Sequence, residues 1–304
     1  MEGIPRHFRL SSEVEQARAT DLPVVALEST VITHGLPYPE NINLAQDMEA
    51  QIRQLGCIPA TIAVIDGVIS IGLDPMQMDR VATSRDMQKV SARDYARVIT
   101  QRQSGGTTVA GTMLAAHWAG IRVFATGGIG GVHRFPSTDI SADLPQLAST
   151  PMVVVCAGAK AILDLPATTE YLETYSVPVV GYQTRQFPAF YARESGLPVS
   201  VQANNPQGVV RIAKTHWSLG LKTAILVVVP PPEEVALPVN QVAEAVDQAL
   251  RDLRDKRLRG QEVTPFLLAR VSELTGGASL RANLGLLRNN ARIAAEIATV
   301  MASG

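Results

Sequence analysis

Met152 to Thr174 reads MVVVCAGAKAILDLPATTEYLET, an apolar β-rich segment that passes through a Cys-Ala-Gly-Ala turn to Lys160. Consecutive β-branched Val153, Val154 and Val155 predict a strand buried on both faces of a parallel sheet. From Ala161, the apolar positions Ile162, Leu163, Leu165, Tyr171 and Leu172 predict helical pieces interrupted at Pro166. Lys160 therefore falls at the carboxyl end of a central strand, where open α/β sheets bind ligands. Small neighbours Ala157, Gly158 and Ala159 would let a substrate approach the backbone, and apolar surroundings would lower the lysine pKa toward that of an amine nucleophile. The alternative is a lysine that caps a loop or pairs with Asp164, and the residues alone leave both open.

The composition suits a globular α/β protein. Of 304 residues, 46% are hydrophobic and 18% charged, enough for one large domain or two small ones. With a net charge of −1, no global field draws the chain to a nucleic-acid polymer or an anionic membrane, so any phosphate must be held locally. Cys57 and Cys156 sit in or beside apolar segments and supply neither a disulfide nor a metal framework. The first residues lack an apolar signal core, and runs such as Ala224 to Val229 are too short to span a bilayer, so the expectation is a soluble, cytoplasmic protein. Only five of the 27 basic side chains are lysine, which makes Lys89 and Lys160, both in turns beside strands, more informative.

Outward from that strand, Ser11 or Ser12 caps a lead-in helix within residues 1–22. Pro23 to Leu27 predicts a buried strand that ends in Glu28, Ser29 and Thr30. A carboxylate there is costly unless paired or used, and desolvation raises its pKa toward that of a general acid. A glutamate bonding loop amides is the alternative. Asn41 to Leu55 is an amphipathic helix, and Asp66-Gly67 between Ala60–Ile65 and Val68–Ile71 predicts a hairpin with a type I′ turn. Leu73 to Thr83 is a short helix, and Lys89 precedes a strandlike Val90 and a capped helix from Ser91.

Gly105-Gly106-Thr107-Thr108 is read as the start of a helix reaching His117 and Trp118, its free amides a weak anion site and His117 a packed residue. Ile121 to Thr126 predicts a strand, and the four glycines of Gly127 to Gly131 mean that the backbone approaches something closely. No dinucleotide fingerprint follows. Asp139, Ser141 and Asp143 alternate, which in an extended segment puts them on one side, able to face a hard cation or sugar hydroxyls; helix capping by Asp139 or Ser141 is the other reading. Further on, strands Val177–Tyr182 and Lys222–Val229 flank a long aromatic loop and a helix from Gly208 to Leu219. A proline-rich linker leads to helices Asn240–Leu258 and Pro265–Leu274 and to a last helix that carries Asn283. The chain reads as one α/β domain over 1–304, with residues 230–304 a helical segment packed on the core.

Taken together, ALEST (26–30), KVSARD (89–94), GGTTV (105–109), TGGIGGVHR (126–134), DISADL (139–144), CAGAKAILD (156–164) and EVTPFLLARVSELTGG (262–277) resemble the pseudouridine-5′-phosphate glycosidases, indigoidine synthase A-like proteins. The likeness covers nearly the whole chain and keeps the motifs in order. It implies a three-layer α/β/α fold with a mixed, largely parallel sheet, and a homotrimer. It implies Lys160 as nucleophile and Glu28 as proton donor. Lys89, Val109, Ser141, Ala142 and Asp143 would touch substrate, joined as candidates by Thr126, His133 and Asn283. Asp139 would serve one Mn²⁺ per subunit. Arg134 to Thr138 is shorter and more proline-rich than the family leads one to expect.

The implied reaction cleaves pseudouridine 5′-phosphate reversibly to uracil and ribose 5-phosphate. Its carbon–carbon bond needs an electron sink, which an imine between a lysine and C1′ of the opened sugar supplies while an acid moves the proton. Two other classes fit the same residues. An imine-forming sugar-phosphate aldolase would share the lysine but release no uracil, and a non-catalytic sugar-phosphate sensor would tolerate its loss.

Overall fold

The computed structural model describes residues 7–134, 138–256 and 263–303. In chain order, β1 (Phe8–Leu10), α1 (Ser12–Ala19) and β2 (Val24–Leu27) lead into a π-helical turn, Val31–Gly35. Then come α2 (Glu40–Gln54), β3 (Ile58–Ile65), β4 (Val68–Ile71), α3 (Pro75–Thr83), β5 (Gln88–Val90), α4 (Tyr95–Thr100), β6 (Gly105–Thr107) and α5 (Val109–Trp118). The middle of the chain gives β7 (Val123–Ala125), β8 (Val132–His133), α6 (Asp143–Leu147), β9 (Val153–Cys156), β10 (Leu163–Asp164) and α7 (Leu165–Thr174). The rest is β11 (Val179–Tyr182), β12 (Val201–Ala203), α8 (Pro206–Ser218), β13 (Ile225–Val228), α9 (Val239–Lys256), α10 (Val263–Leu274) and α11 (Ala278–Ala302).

The strands form a mixed, largely parallel sheet in the order β1-β4-β3-β2-β7-β9-β13-β11-β12, extended by β6 on β3 and β5 on β6. Helices cover both sides, as expected of a three-layer fold; α11 crosses β2, β7 and β9 beside α2 and α8, while α5 packs on β2, β3 and β4. The apolar runs behave as the sequence predicts: Val153 to Cys156 and Ile225 to Val228 are wholly buried and pair in register. From β2 the chain steps to β3 on one side and later to β7 on the other. The order of the sheet thus reverses between β2 and β7, the place where open sheets leave a crevice at their carboxyl ends.

Local chemistry sets the element ends. Ser11 caps α1 by accepting the Val14 amide, and Asp66 and Gly67 both take positive φ, 50° and 78°, as a type I′ turn requires.

Several expectations shift. Gly105 to Thr107 is a strand rather than the first turn of a helix, and α5 starts later, at Val109, with Thr108 as its cap. The glycines explain it: a Cβ on Gly105 would stand 2.3 Å from the Gln88 carbonyl oxygen and one on Gly106 2.9 Å from that of Ser29, so only bare backbone lets β6 lie this close to its neighbours. No helix begins at Ala161; Leu163 and Asp164 pair with β8, Asp164 caps α7, and Pro166 lies in its first turn, where a proline needs no amide partner. His117 is exposed on α5 rather than packed. The short strands β1 and β12 carry too few residues for a readable alternation.

Gly158 has φ +87°, and a Cβ there would stand 2.4 Å from the Pro188 carbonyl oxygen. Gly196 has a similar φ of +80° but open space around it. Gly196→Ala should therefore cost about 1 kcal/mol from the backbone alone, and Gly158→Ala about 1–3 kcal/mol more from the added clash. Urea titration of the two variants would check this, and equal losses would contradict it.

Candidate active site

Glu28 follows the last residue of β2, and Thr126 follows the last residue of β7. Because Leu27 pairs with Ala125, the two side chains emerge next to each other, and the Thr126 hydroxyl donates to the Glu28 carboxylate. Ser29 fixes the strand end. Its buried hydroxyl donates to the Ile62 carbonyl (2.6 Å) and accepts the Thr107 amide (2.9 Å), tying β2 to β3 and β6. Thr107 adds a second bond to the same carbonyl at 2.7 Å. Burial pushes the Glu28 carboxyl above its ordinary value, against the opposing pull of Lys160 and the Thr126 bond.

Lys160 lies four residues beyond β9, half-buried, on a turn whose amide donates to the Ile129 carbonyl (3.1 Å). Lys89 projects from β5, and burial, helped by the Lys160 charge, lowers its pKa. Glu28, Lys89, Val109, His133, Asp139, Ser141, Ala142, Asp143 and Lys160 all line one cavity of about 310 Å³. Of the candidates read from the sequence, only Thr126 and Asn283 stand off that wall. Thr126 is buried behind Glu28 with its hydroxyl committed there, and Asn283 lines a smaller neighbouring hollow.

The glycine loop packs on the protein itself. A Cβ on Gly128 would meet the Phe190 ring at 2.6 Å, one on Gly130 the Ser141 hydroxyl at 2.1 Å and one on Gly131 the Thr168 hydroxyl at 2.3 Å. Asp139, Ser141 and Asp143 line the same cavity, and the backbone turns into α6 at Asp143. Asp143 is buried, and its carboxylate accepts the amides of Ala110 (2.9 Å) and Gly130 (2.7 Å). Asp139 is exposed at the cavity edge.

This arrangement leaves an anion cradle. Of the first three amides of α5, those of Ala110 and Gly111 go to Asp143 and Thr108, so among the described residues that of Val109 alone has no protein acceptor. It lies at the positive end of the helix, on the same wall as Lys89. Ser91, Arg93, Thr108 and Thr264 also line the cavity and are absent from the sequence-based set. Nothing in their spacing marks them; Thr264 arrives from α10, far along the chain. Three successive residues of the altered link, 135–137, lie outside the described residues.

With this geometry in place, comparison with known proteins identifies the lineage. The model of the indigoidine synthase A like protein family matches residues 13–300. The chain belongs to this family. It is 50% identical over 290 residues to a protein of Geobacillus kaustophilus named pseudouridine-5′-phosphate glycosidase, covering 95% of this chain and 96% of the relative. A Solibacter usitatus protein of the same name is also 50% identical, over 96% and 99% of the two chains. Among solved structures, a prealnumycin C-glycosynthase in complex with ribulose 5-phosphate superposes with a TM-score of 0.91 at 37% identity, over 98% of each chain. An indigoidine synthase A-like protein from Thermotoga maritima gives 0.91 at 33% identity, over 99% of each.

A carboxyl whose pKa is raised by folding favours the native state while protonated and costs stability once pH rises above that pKa. Glu28→Gln keeps an acceptor for Thr126 and removes the buried charge. The variant should melt at or above the wild-type temperature at pH 8, with the difference shrinking as pH falls into the ordinary carboxyl range. Its turnover should fall by roughly 10²–10⁴-fold, the usual worth of a proton-transferring group. A variant that melts lower at pH 8 would contradict the assignment.

Proposed function

We propose that the protein is a pseudouridine-5′-phosphate glycosidase, a C–C-cleaving lyase that interconverts pseudouridine 5′-phosphate with uracil and ribose 5-phosphate. The observation that carries this reading is that Lys160 and Glu28, brought from the ends of β9 and β2, line one cavity with an anion cradle. Both 50%-identical relatives bear that enzyme's name, and a structural neighbour holds a pentulose phosphate.

In cleavage, the phosphate sits at the Val109 amide and Lys89, with Ser141 and Ala142 along the sugar and His133 at its rim. The Lys160 amine adds to C1′ as the C1′–O4′ bond opens, and the proton that the nitrogen sheds ends on O4′. Glu28, its pKa raised by burial, gives its proton to the base carbon that carries the sugar. The nitrogen electron pair then forms the C1′ imine as the carbon–carbon bond breaks, and water hydrolyses the imine to return ribose 5-phosphate and the free amine. Thr126 orients the Glu28 carboxyl, and Asp143 holds the Val109 turn and the glycine loop in place.

A manganese ion belongs to the proposal. Among the described residues, no three His, Cys, Asp or Glu side chains come together as a cage. Asp139 alone offers a free carboxylate at the cavity edge, which suits a hard ion that keeps most of its waters and is completed by substrate oxygens. Bound there, the ion would orient water and phosphate. The homotrimer rests on the family resemblance and the cytoplasmic location on the cysteine usage read from the sequence; among the described residues no helix is long and apolar enough to cross a membrane. A solution mass of one chain would overturn the trimer.

Borohydride added during turnover should leave one reduced ribose phosphate on the peptide bearing Lys160, and ultraviolet assay should show uracil release. Lys160→Ala should lose both. Adduct on another lysine, or undiminished uracil release by Lys160→Ala, would sink the mechanism; an adduct without uracil would favour the aldolase reading.

Exhaustive chelation should abolish uracil release and Mn²⁺ restore it, with Asp139→Asn needing at least tenfold more Mn²⁺ for half-maximal restoration. Full activity in metal-free enzyme would refute the ion's role.

A further inference from the structure

Helix α11 carries two consecutive asparagines that face different ways. Asn289 is half-buried, and its carbonyl oxygen accepts from the Arg292 guanidinium at 2.9 Å. Asn290 is only 1% exposed and meets the carboxyl end of β7. Its amide nitrogen donates to the Thr126 carbonyl at 2.8 Å and reaches the Gly127 carbonyl at 3.4 Å. Since both neighbours are acceptors, only the nitrogen can face them, which fixes the orientation of the amide. Its oxygen is then left where no donor among the described residues meets it. A buried amide with an orphaned oxygen is unfavourable, so what this side chain contributes is its hold on the two carbonyls.

Those carbonyls belong to the backbone that leads to both reacting groups. Thr126 is the residue whose hydroxyl donates to Glu28. Its own amide donates to the Val155 carbonyl at 3.0 Å, which ties it to β9 as well. The Gly127 carbonyl also accepts the Ala157 amide at 2.8 Å, at the first residue of the turn that leads to Lys160. Gly127 lies close on α11 one turn earlier, where a Cβ would stand 3.1 Å from the Leu287 side chain. Asn290 therefore grips the chain at the point where the support of Glu28 and the approach to Lys160 meet.

We propose that Asn290 is a positioning residue for the proton transfer: by holding the Thr126 and Gly127 carbonyls it keeps the Thr126 hydroxyl aimed at Glu28. This rests on the function proposed above. Asn290 touches no substrate and reaches Glu28 only through Thr126. A hydroxyl that donates to a carboxylate favours its ionised form, so losing the aim of Thr126 raises the Glu28 pKa further. The charged and titratable groups that face Glu28 are Lys160, Lys89 and Asp143, with His34 across a shared hollow, and substitution of Asn290 or Thr126 alters none of them.

The test measures uracil release from pseudouridine 5′-phosphate across pH, with Mn²⁺ present, for wild type, Asn290→Leu, Thr126→Val and the double variant. Leucine is close to asparagine in shape and removes the donor. The limb of the kcat profile that belongs to Glu28 is the one that Glu28→Gln abolishes. In Asn290→Leu that limb should move to higher pH, as it does in Thr126→Val, with kcat lowered roughly tenfold to a hundredfold and KM within about twofold of wild type. In the double variant the limb should stand where Thr126→Val alone puts it, because the two side chains act in series. Melting curves of the same proteins separate this from loss of fold. A lower melting temperature with the limb unmoved would make Asn290 a merely structural residue and overturn the inference, as would a limb that moves further in the double variant. Should Asn290→Leu fail to fold, Asn290→Ser, which shortens the side chain, is read in the same way. A wild type that releases no uracil would overturn the proposed function and this inference with it.

Discussion

The hydrogen bond from the Thr126 hydroxyl to the Glu28 carboxylate joins the two strands between which the order of the sheet reverses. A buried carboxylate is tolerable only with such a partner and with cations nearby. Lys160 and Lys89 supply the cations, each from a different strand end or edge. Displacing one of these strands by a residue would put its side chain on the wrong face and part the carboxyl from the amines. The sheet register and the site chemistry are therefore one constraint.

That constraint explains how the surroundings are built. Ser29 and Thr107 converge on the Ile62 carbonyl, which locks β2, β3 and β6 at the level where Glu28 emerges. Glycines occur where the backbone lies close against its neighbours: in β6 against the backbone of Gln88 and Ser29, and in the loop after β7 against the side chains of Phe190, Ser141 and Thr168. Asp143 takes two amides that would otherwise be orphaned and fixes the amino end of α5 to the glycine loop. The apparatus around the reacting groups is thus mostly backbone held by short polar side chains. That rigidity suits the proposed reaction, in which an amine, a carboxyl and a phosphate keep fixed relative positions.

Much of this was legible in the residues. Runs of β-branched residues reveal β2, β9 and β13 because burial on both faces leaves no polar alternation, and Asp66-Gly67 reveals its hairpin because few residues accept two positive φ values. Glu28 stands out because a charge directly after such a strand has to be satisfied, and Lys160 because it closes a turn of small residues four positions beyond one. Roles of the lining residues came from the family resemblance rather than from spacing. Gly105 to Thr107 misled because glycines before a helix and glycines in a crowded strand look alike. Asp139, Ser141 and Asp143 do share one cavity, but that Asp143 spends its carboxylate on the Ala110 and Gly130 amides is visible only in the fold.

By itself the sequence determined the α/β class of the fold, the buried strands, the helix caps and two charged side chains of the cavity, Glu28 and Lys160, since each follows from short-range pattern or from the cost of burying charge. Tertiary structure alone decided which elements meet. Thr264 on α10, Lys89 on β5 and Val109 at the start of α5 reach one cavity because the sheet order reverses between β2 and β7 and brings distant segments to the same crevice. The assignment of Asp143 to backbone amides and of Asp139 to the open edge likewise depends on contacts across more than ten residues, which no local pattern encodes.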